Sequence, residues 1–303
     1  MKKKFKGNLH THTTNSDGDA SPEHVAGWYE SNGYNFLCLS DHNHLTILND
    51  SDNNKWPLLI AGEEVTSLSG ETPVHVNGYG IEKLVSPSES NNVVEALREN
   101  ILGIIEAGGV ASINHPNYKW ALSYKELSQV DNYKFIEVFN GHAGSNSFGD
   151  IKRPSVSKVW DKLLSNGKRV LGLATDDAHH YHEFNSQKAN PGRGWIQVFS
   201  EKLSKNSILE SMSNGDYYAS TGIELGEVKL NRKEIIIEVD EFQNSTKNSS
   251  ISINFIRKNG ILAEKTDGLS AKYKPVEKDV YIRVEIISPN GSRLWTQPVW
   301  MQN

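Results

Sequence analysis

Phe36-Leu37-Cys38-Leu39-Ser40-Asp41-His42 is a short apolar run that stops on an acid and an imidazole, and the same layout recurs along the chain. Leu58-Leu59-Ile60-Ala61 leads into Gly62-Glu63-Glu64, and Val110-Ala111-Ser112-Ile113 into Asn114-His115-Pro116. Val170 to Ala174 leads into Asp176-Asp177-Ala178-His179. His10-Thr11-His12 closes the first strand candidate, where a period of two puts both imidazoles on one face, within reach of one metal ion. The turn Asn15-Ser16-Asp17-Gly18 then offers the Asp17 carboxylate to the same place. Short apolar runs bounded by polar residues read as buried strands, and parallel α/β layers and barrels carry their sites at the C-terminal ends of strands. One histidine alone is more often a core or surface residue. Five strand candidates that each end on a ligand-type side chain point to a metal site.

Outward from these runs, the chain to about Tyr218 alternates strand and helix patterns, as in parallel strands joined by helices. A helix is expected from Ser21-Pro22-Glu23, with Ser21 as N-cap and Pro22 at N1, to a stop at Gly33. A second runs from Asn91 to Ala107 with Val94, Leu97, Ile101, Ile104 and Ile105 on one face and Gly108 beyond. Val156 to Ser165 and Ile208 to Met212 make a third and fourth. Strands are expected at Asn35 to Leu39, Leu58 to Ala61, Val74 to Val76, Val110 to Ile113, Phe135 to Phe139 and Val170 to Ala174. After Gly222 the helices cease, leaving strands at Ile235 to Val239, Ile251 to Ile256 and Val280 to Ile287, set apart by turns such as Lys258-Asn259-Gly260. The expected organisation is α/β: a unit over 1–222 and a small antiparallel β-sandwich over 223–303, with a loop at Gln243 to Ser250.

The chain has 303 residues, 37% hydrophobic and 23% charged, with a net charge of −5. That balance argues against a nucleic-acid binder working through bulk positive charge. It leaves small anionic substrates open, because metal ions invert the field of a cleft locally. The single cysteine, Cys38, excludes an intramolecular disulfide and a multi-cysteine zinc site, and it sits in an apolar run. Lys2, Lys3 and Lys4 are followed by no apolar signal region, and no run approaches the roughly eighteen apolar residues of a membrane span. A cytoplasmic protein is expected, with no membrane and no nucleic-acid partner.

Jointly, His10-Thr11-His12, Ser16-Asp17-Gly18, Ser40-Asp41-His42, the glutamate after Gly62, Asn114-His115-Pro116 and Asp177-Ala178-His179 resemble the PHP family, named for polymerase and histidinol phosphatase. The match covers roughly residues 8–222 in the family's order. Gly62-Glu63-Glu64-Val65-Thr66 followed by His75-Val76-Asn77 resembles the branch that includes carbamate-hydrolysing enzymes. The resemblance implies a distorted (β/α)7 barrel and two or three divalent metal ions of zinc, manganese or iron, as a trinuclear site when filled. It assigns one ion to His10, His12, Glu64 and Asp177, a second to Glu64, His75 and His115, and a third to Asp17, His42 and His179, with Glu64 bridging. It prefers Glu64 over Glu63, and Asp177 over Asp176. Asp41 would orient a ligand imidazole. After the strand at Phe135 to Phe139 the family often adds a ligand, and here Asn140 and His142 stand; His142 is either a second-metal ligand or a loop residue. Arg193, in Pro191-Gly192-Arg193-Gly194-Trp195, and Lys119 are candidate substrate-binding cations, or plain surface residues. His24, His44, His180 and His182 read as surface or rim residues, and Trp295 and Trp300 as core.

Three carboxylates do not neutralise three divalent ions, so the filled cluster stays positive and suits an anionic ester. The expected reaction is hydrolysis of a small phosphomonoester or phosphodiester by a metal-bridging hydroxide, with Asp41, Glu64 and Asp177 as the functional carboxylates. The alternatives are a carbamate, amide or ester hydrolase using the same cluster, and a non-catalytic metal-stabilised binding module.

Overall fold

The computed structural model describes residues 2–48, 56–240 and 251–302, so the expected loop at Gln243 to Ser250 lies outside the described residues. The chain opens with β1 (Lys3–Asn8), α1 (Pro22–Ser31), β2 (Phe36–Leu37) and β3 (Leu58–Leu59). There follow β4 (Gly62–Ser69), β5 (Thr72–Tyr79), α2 (Val93–Glu106), β6 (Val110–Ile113), α3 (Tyr124–Leu127) and β7 (Tyr133–Asn140). Then come α4 (Val156–Ser165), β8 (Leu171–Thr175), β9 (Trp195–Ser200), α5 (Lys205–Ser213) and β10 (Tyr217–Ser220). The remainder is β11 (Leu225–Leu230), β12 (Ile235–Val239), β13 (Ser252–Arg257), β14 (Ile261–Asp267), β15 (Ser270–Tyr273), β16 (Tyr281–Ile287), β17 (Arg293–Thr296) and β18 (Val299–Trp300). No helix among the described residues is long and apolar enough to cross a membrane.

The helix ends follow local chemistry. Ser21 caps α1 by accepting from the His24 amide, Asn92 caps α2 by accepting from the Val94 and Glu95 amides, and Ser155 caps α4 through the Lys158 amide. Gly33 and Gly108 follow α1 and α2 with φ of +76° and +82°, a conformation that costs glycine nothing. Leu97, Ile101 and Ile104 of α2 pack against Val65, Val74 and Val76, whereas Ile105, expected on that face, is 41% exposed.

The expectation of parallel strands throughout the first unit needs correcting. Among the described strands, parallel pairing occurs in β1-β2-β3 and β6-β7-β8. Eight-residue β4 and β5 form an antiparallel hairpin turning at Gly70-Glu71, which leaves no chain for a helical crossover, and β9 lies antiparallel to both β1 and β10. The strands make open sheets, not one continuously hydrogen-bonded barrel. A five-stranded sheet runs β4-β5-β6-β7-β8, and a ten-stranded sheet contains β3-β2-β1-β9-β10. Among the described residues, two isolated parallel bridges, Thr11 with Ala178 and His42 with Glu64, join strand ends of the two sheets. Both bridges fall on or beside expected metal ligands.

β10 also pairs with β17, so the ten-stranded sheet continues through β16 and β13 to β14 and crosses residue 222. A three-stranded sheet, β11-β12-β15, covers a second core of Ile235, Ile237, Ile253, Phe255, Val284 and Ile286. Trp295 and Tyr281 belong instead to the first core. A buried ion pair ties the two regions: Arg283 Nε and Nη2 donate to the Asp161 oxygens at 2.8 and 2.6 Å, Nη2 also reaches Ser157, and the Tyr281 hydroxyl donates to Asp161 at 2.9 Å. Removing one member leaves an uncompensated buried charge. Arg283→Ala is therefore expected to cost about 3–5 kcal/mol in urea denaturation; a loss under about 1 kcal/mol would show that the pair does not hold these parts together.

Candidate metal centre

The two bridges bring the ligand-bearing strand ends together. The His12 amide donates to Ala178 O and the Asp177 amide to His10 O, both at 2.9 Å. On the other side the Glu64 amide donates to Asp41 O at 3.2 Å and the Asn43 amide to Glu64 O at 3.0 Å. Asp177 adopts a φ of +50°, a strained value for a non-glycine residue that is held by these contacts. His75 arrives differently, from inside β5: it pairs with Thr66 while Asn77 pairs with Glu64, so His75 and Glu64 share a face as diagonal neighbours.

Glu64 is the hub, buried and reached by five imidazoles. Its Oε1 lies 3.0 Å from His75 Nδ1, 3.1 Å from His115 Nε2 and 3.5 Å from His10 Nε2. Its Oε2 lies 2.8 Å from His42 Nδ1 and 3.5 Å from His12 Nε2. Asp177 Oδ1 stands 3.2 Å from both His10 Nε2 and His12 Nε2. Asp17 Oδ1 is 3.2 Å from His179 Nε2, and its Oδ2 is 3.6 Å from His42 Nε2. All nine expected ligands fall into four groups whose donor atoms lie within 4.8 Å of one another: His10, His12, Asp177; His10, Glu64, His115; His42, Glu64, His75; and His12, Asp17, His42, His179.

The donor set fits divalent ions. His10 Nε2 and Glu64 Oε2 are buried and make no hydrogen bond among the described residues, despite their close neighbours. Such atoms are costly unless something else satisfies them. A mixture of imidazole and carboxylate donors suits zinc, manganese and iron. Electrostatics among the side chains agree. Burial favours neutral Glu64 and Asp177, but His75, His42 and His10 around the first, and His10, His12 and His179 around the second, hold both well below the usual carboxylate range. Burial likewise raises Asp17, yet hydrogen bonds from His179 and His42 bring it far down. Burial and the neighbouring His179 push His12 down to about 4, and burial also lowers His75. His10, His42, His115 and His179 are raised against the pull of burial: His10 by Asp177 and Glu137, His42 to about 10 by Glu64 and Asp17.

The acidic doublets separate by function. Glu63 points the other way, is buried, and accepts from the Val85 amide at 2.6 Å; burial pushes its carboxyl up to about 7. Asp176 is fully buried in a nest of three amides, Gly192, Arg193 and Gly194, plus the Tyr29 hydroxyl. Asp41 accepts from the Thr13 amide and from the Thr13, Ser16 and Thr46 hydroxyls, so it braces the loop that carries Asp17 and touches no imidazole among the described residues. Arg193 donates to the carbonyls of Gly141 and Asn185, which makes its guanidinium a clamp between loops. Lys119 is exposed, with its ammonium 5.4 Å from the Tyr118 ring centre. His24, His44 and His182 are exposed, and His180 is half-buried outside the four groups.

Glu137 was missed in the reading of the sequence. It is fully buried in β7; Oε1 lies 2.6 Å from His10 Nδ1 and accepts from Thr175, and Oε2 accepts from the His115 amide and Asn140. It thereby fixes which His10 nitrogen faces the cluster. A lone acid in the apolar run Phe135 to Phe139 was the available signal.

Glu137→Gln is expected to weaken metal affinity roughly 10–100-fold while the fold persists, by competition with a chelating dye. Unchanged affinity would make Glu137 merely structural. His12→Ala and Glu64→Ala should each lower bound metal per chain by elemental analysis, and full occupancy in both would contradict the cluster. Because four candidate ligand imidazoles are raised, a metal ion bound there would displace protons, so binding near neutral pH should release protons and tighten as pH rises. In the metal-free protein the sign is opposite: their stabilising contribution is complete below about pH 6.5 and is lost as pH climbs through the folded value, about 10 for His42. Calorimetry in two buffers of different ionisation enthalpy checks the proton release, and no buffer dependence would refute it.

No family model and no curated protein matches the sequence. Among solved structures, a two-domain protein from Bacteroides vulgatus containing a predicted PHP-like metal-dependent phosphoesterase is similar at 15% identity and a TM-score of 0.55, over 100% of this chain and 88% of that one. A candidate metal-dependent phosphoesterase from Bifidobacterium adolescentis gives 15% identity and a TM-score of 0.43, over 67% of this chain and 94% of that one. An amidohydrolase from Chromobacterium violaceum gives 16% and 0.40, over 58% and 88%. The likeness that spans the whole chain is one of fold, to a protein containing a PHP-like unit, and this chain has His, Asp and Glu groups that could hold metal ions where its strand ends meet.

Proposed function

We propose that the chain is a metal-dependent hydrolase of small phosphomonoesters or phosphodiesters. The observation that carries this reading is the gathering of nine candidate ligand side chains into four adjoining groups, with five imidazoles around the buried Glu64. His10, His12, Glu64 and Asp177 would hold one ion, Glu64, His75 and His115 a second, and Asp17, His42 and His179 a third. His12 and His42 each fall in two groups, so the three sites would be contiguous. Bound there, zinc, manganese or iron ions would supply Lewis acidity toward a phosphoryl oxygen and lower the pKa of coordinated water.

The chain's own residues set the geometry and the charge. Glu137 presents His10, and Asp41 holds the loop of Asp17. Glu64, Asp177 and Asp17 bring three negative charges, fewer than the positive charges of two or three divalent ions, so a loaded site favours an anion. Lys119 adds an exposed cation beside Tyr118, whose ring lies 5.2 Å from that of His115. Arg193 shapes the wall through Gly141 and Asn185. All nine ligands precede residue 180, which supports assigning the reaction to 1–222 and leaves 223–303 as a β module joined to it by the shared sheet.

Metal-loaded protein is expected to hydrolyse p-nitrophenyl phosphate or its bis ester, with activity lost on chelation and restored by metal. Glu64→Ala should abolish turnover, measured as p-nitrophenol release. Hydrolysis of a naphthyl carbamate alone would overturn the phosphoester reading in favour of a carbonyl substrate, and full metal occupancy with no turnover of any of the three would favour a binding module.

A further inference from the structure

Tyr118 and His142 stand beside the cluster without belonging to any of its four donor groups. The Tyr118 ring lies 5.2 Å from His115, 6.2 Å from His75 and 5.9 Å from His142, meeting His142 edge-on at 89°. The His142 ring is in turn 5.7 Å from His179. The two residues thus border both the Glu64, His75, His115 side and the Asp17, His179 side of the site.

His142 is oriented against ligation. Its Nδ1 accepts from the Gly144 amide at 3.0 Å, so Nδ1 carries no proton, and the neutral ring must bear its proton on Nε2. A ligand imidazole needs the reverse, a lone pair toward the metal and an N–H on the other nitrogen. His142 is therefore a hydrogen-bond donor through Nε2. Its amide donates to Asn140 Oδ1, and Asn140 Nδ2 donates to Asp177, so its position is tied to a ligand.

Tyr118 is held with similar care. Its amide donates to His115 O at 2.8 Å, and Lys119 and Trp120, which follow it, adopt φ of +48° and +57°. Two successive left-handed non-glycine residues are strained and persist only where the surroundings enforce them. Here Asn117 donates to Asn146 O and Pro154 O, Asn146 donates back to Asn117 O, and the Arg153 guanidinium lies 4.3 Å over Trp120. The half-buried Tyr118 hydroxyl has no hydrogen-bond partner among the described residues. A rigid wall thus carries two uncommitted donors next to metal ligands.

We propose that the Tyr118 hydroxyl and His142 Nε2–H form a donor pair that binds an oxygen of the substrate anion, a role that rests on the hydrolase reading above. Such preplaced donors act most strongly on the charge that develops during reaction. They also select for substrates with a free anionic oxygen beside the reacting bond.

The test uses metal-loaded full-length protein with Tyr118→Phe, which keeps the ring against His115, and His142→Gln. Elemental analysis should find metal content unchanged in both. Affinity for inorganic phosphate, by calorimetry, should fall roughly tenfold in each. Phosphate binding within twofold of wild type in either variant, or loss of a metal equivalent in His142→Gln, overturns the proposal. A wild type that binds no phosphate but hydrolyses the naphthyl carbamate defeats the phosphoester reading alone, and the same thresholds then apply to kcat/KM for the carbamate. A loaded wild type that does neither overturns both.

Discussion

A single buried carboxylate, that of Glu64, has five imidazole rings turned toward its two oxygens. One negative charge does not satisfy five such groups around a buried carboxylate, and protonating them all would place several like charges within a few ångströms. Divalent cations would resolve the conflict, because neutral imidazole and ionised carboxylate would then both serve as ligands. Much of the surrounding polar structure makes sense as support for this one requirement. Glu137 carries the proton relationship of His10, Asp41 secures the turn of Asp17, and Asp176 gathers three amides of the loop that follows Asp177.

The fold serves that constraint with little regular structure at the point of use. The two open sheets are bridged backbone to backbone at Thr11 and Ala178 and at His42 and Glu64, among the candidate ligands, and share one apolar core. Antiparallel β4 and β5 bring Glu64 and His75 in on one face of a tight hairpin. The β module reinforces the other side by extending the same sheet and by burying Arg283 against Asp161 of α4. A change in that module can therefore reach the strands that carry ligands without touching the site.

What the sequence made legible was local. Caps and apolar periodicity marked α1, α2 and α4, with Val156 to Ser165 matching at both ends, and the runs before His115 and Asp177 emerged as β6 and β8. Most of the nine candidate ligand positions were readable as polar residues placed where an apolar run stops, with Asp17 in the turn after His12 and His75 matched by resemblance. Pairing partners were not readable, since whether β4 meets β5 or β9 meets β1 depends on contacts between residues far apart, or on a tight turn, rather than on periodicity. That is why β4–β5 and β9–β10 escaped a parallel scheme. Glu137 escaped because a ligand-supporting acid inside a strand has no end-of-run signature, and His142 stayed ambiguous because its tautomer is decided by the Gly144 amide.

Glu64 would sit between metal ions instead of among protons. The measurement that addresses it most directly is anomalous diffraction from crystals of the metal-loaded protein, with data on both sides of the absorption edge of the ion used. The account requires anomalous peaks on either side of the Glu64 carboxylate, one shared with His10, His12 and Asp177 and one with His75 and His115. Peaks confined to other parts of the molecule, or a Glu64 carboxylate hydrogen-bonded only to imidazoles and water in a fully loaded sample, would contradict it.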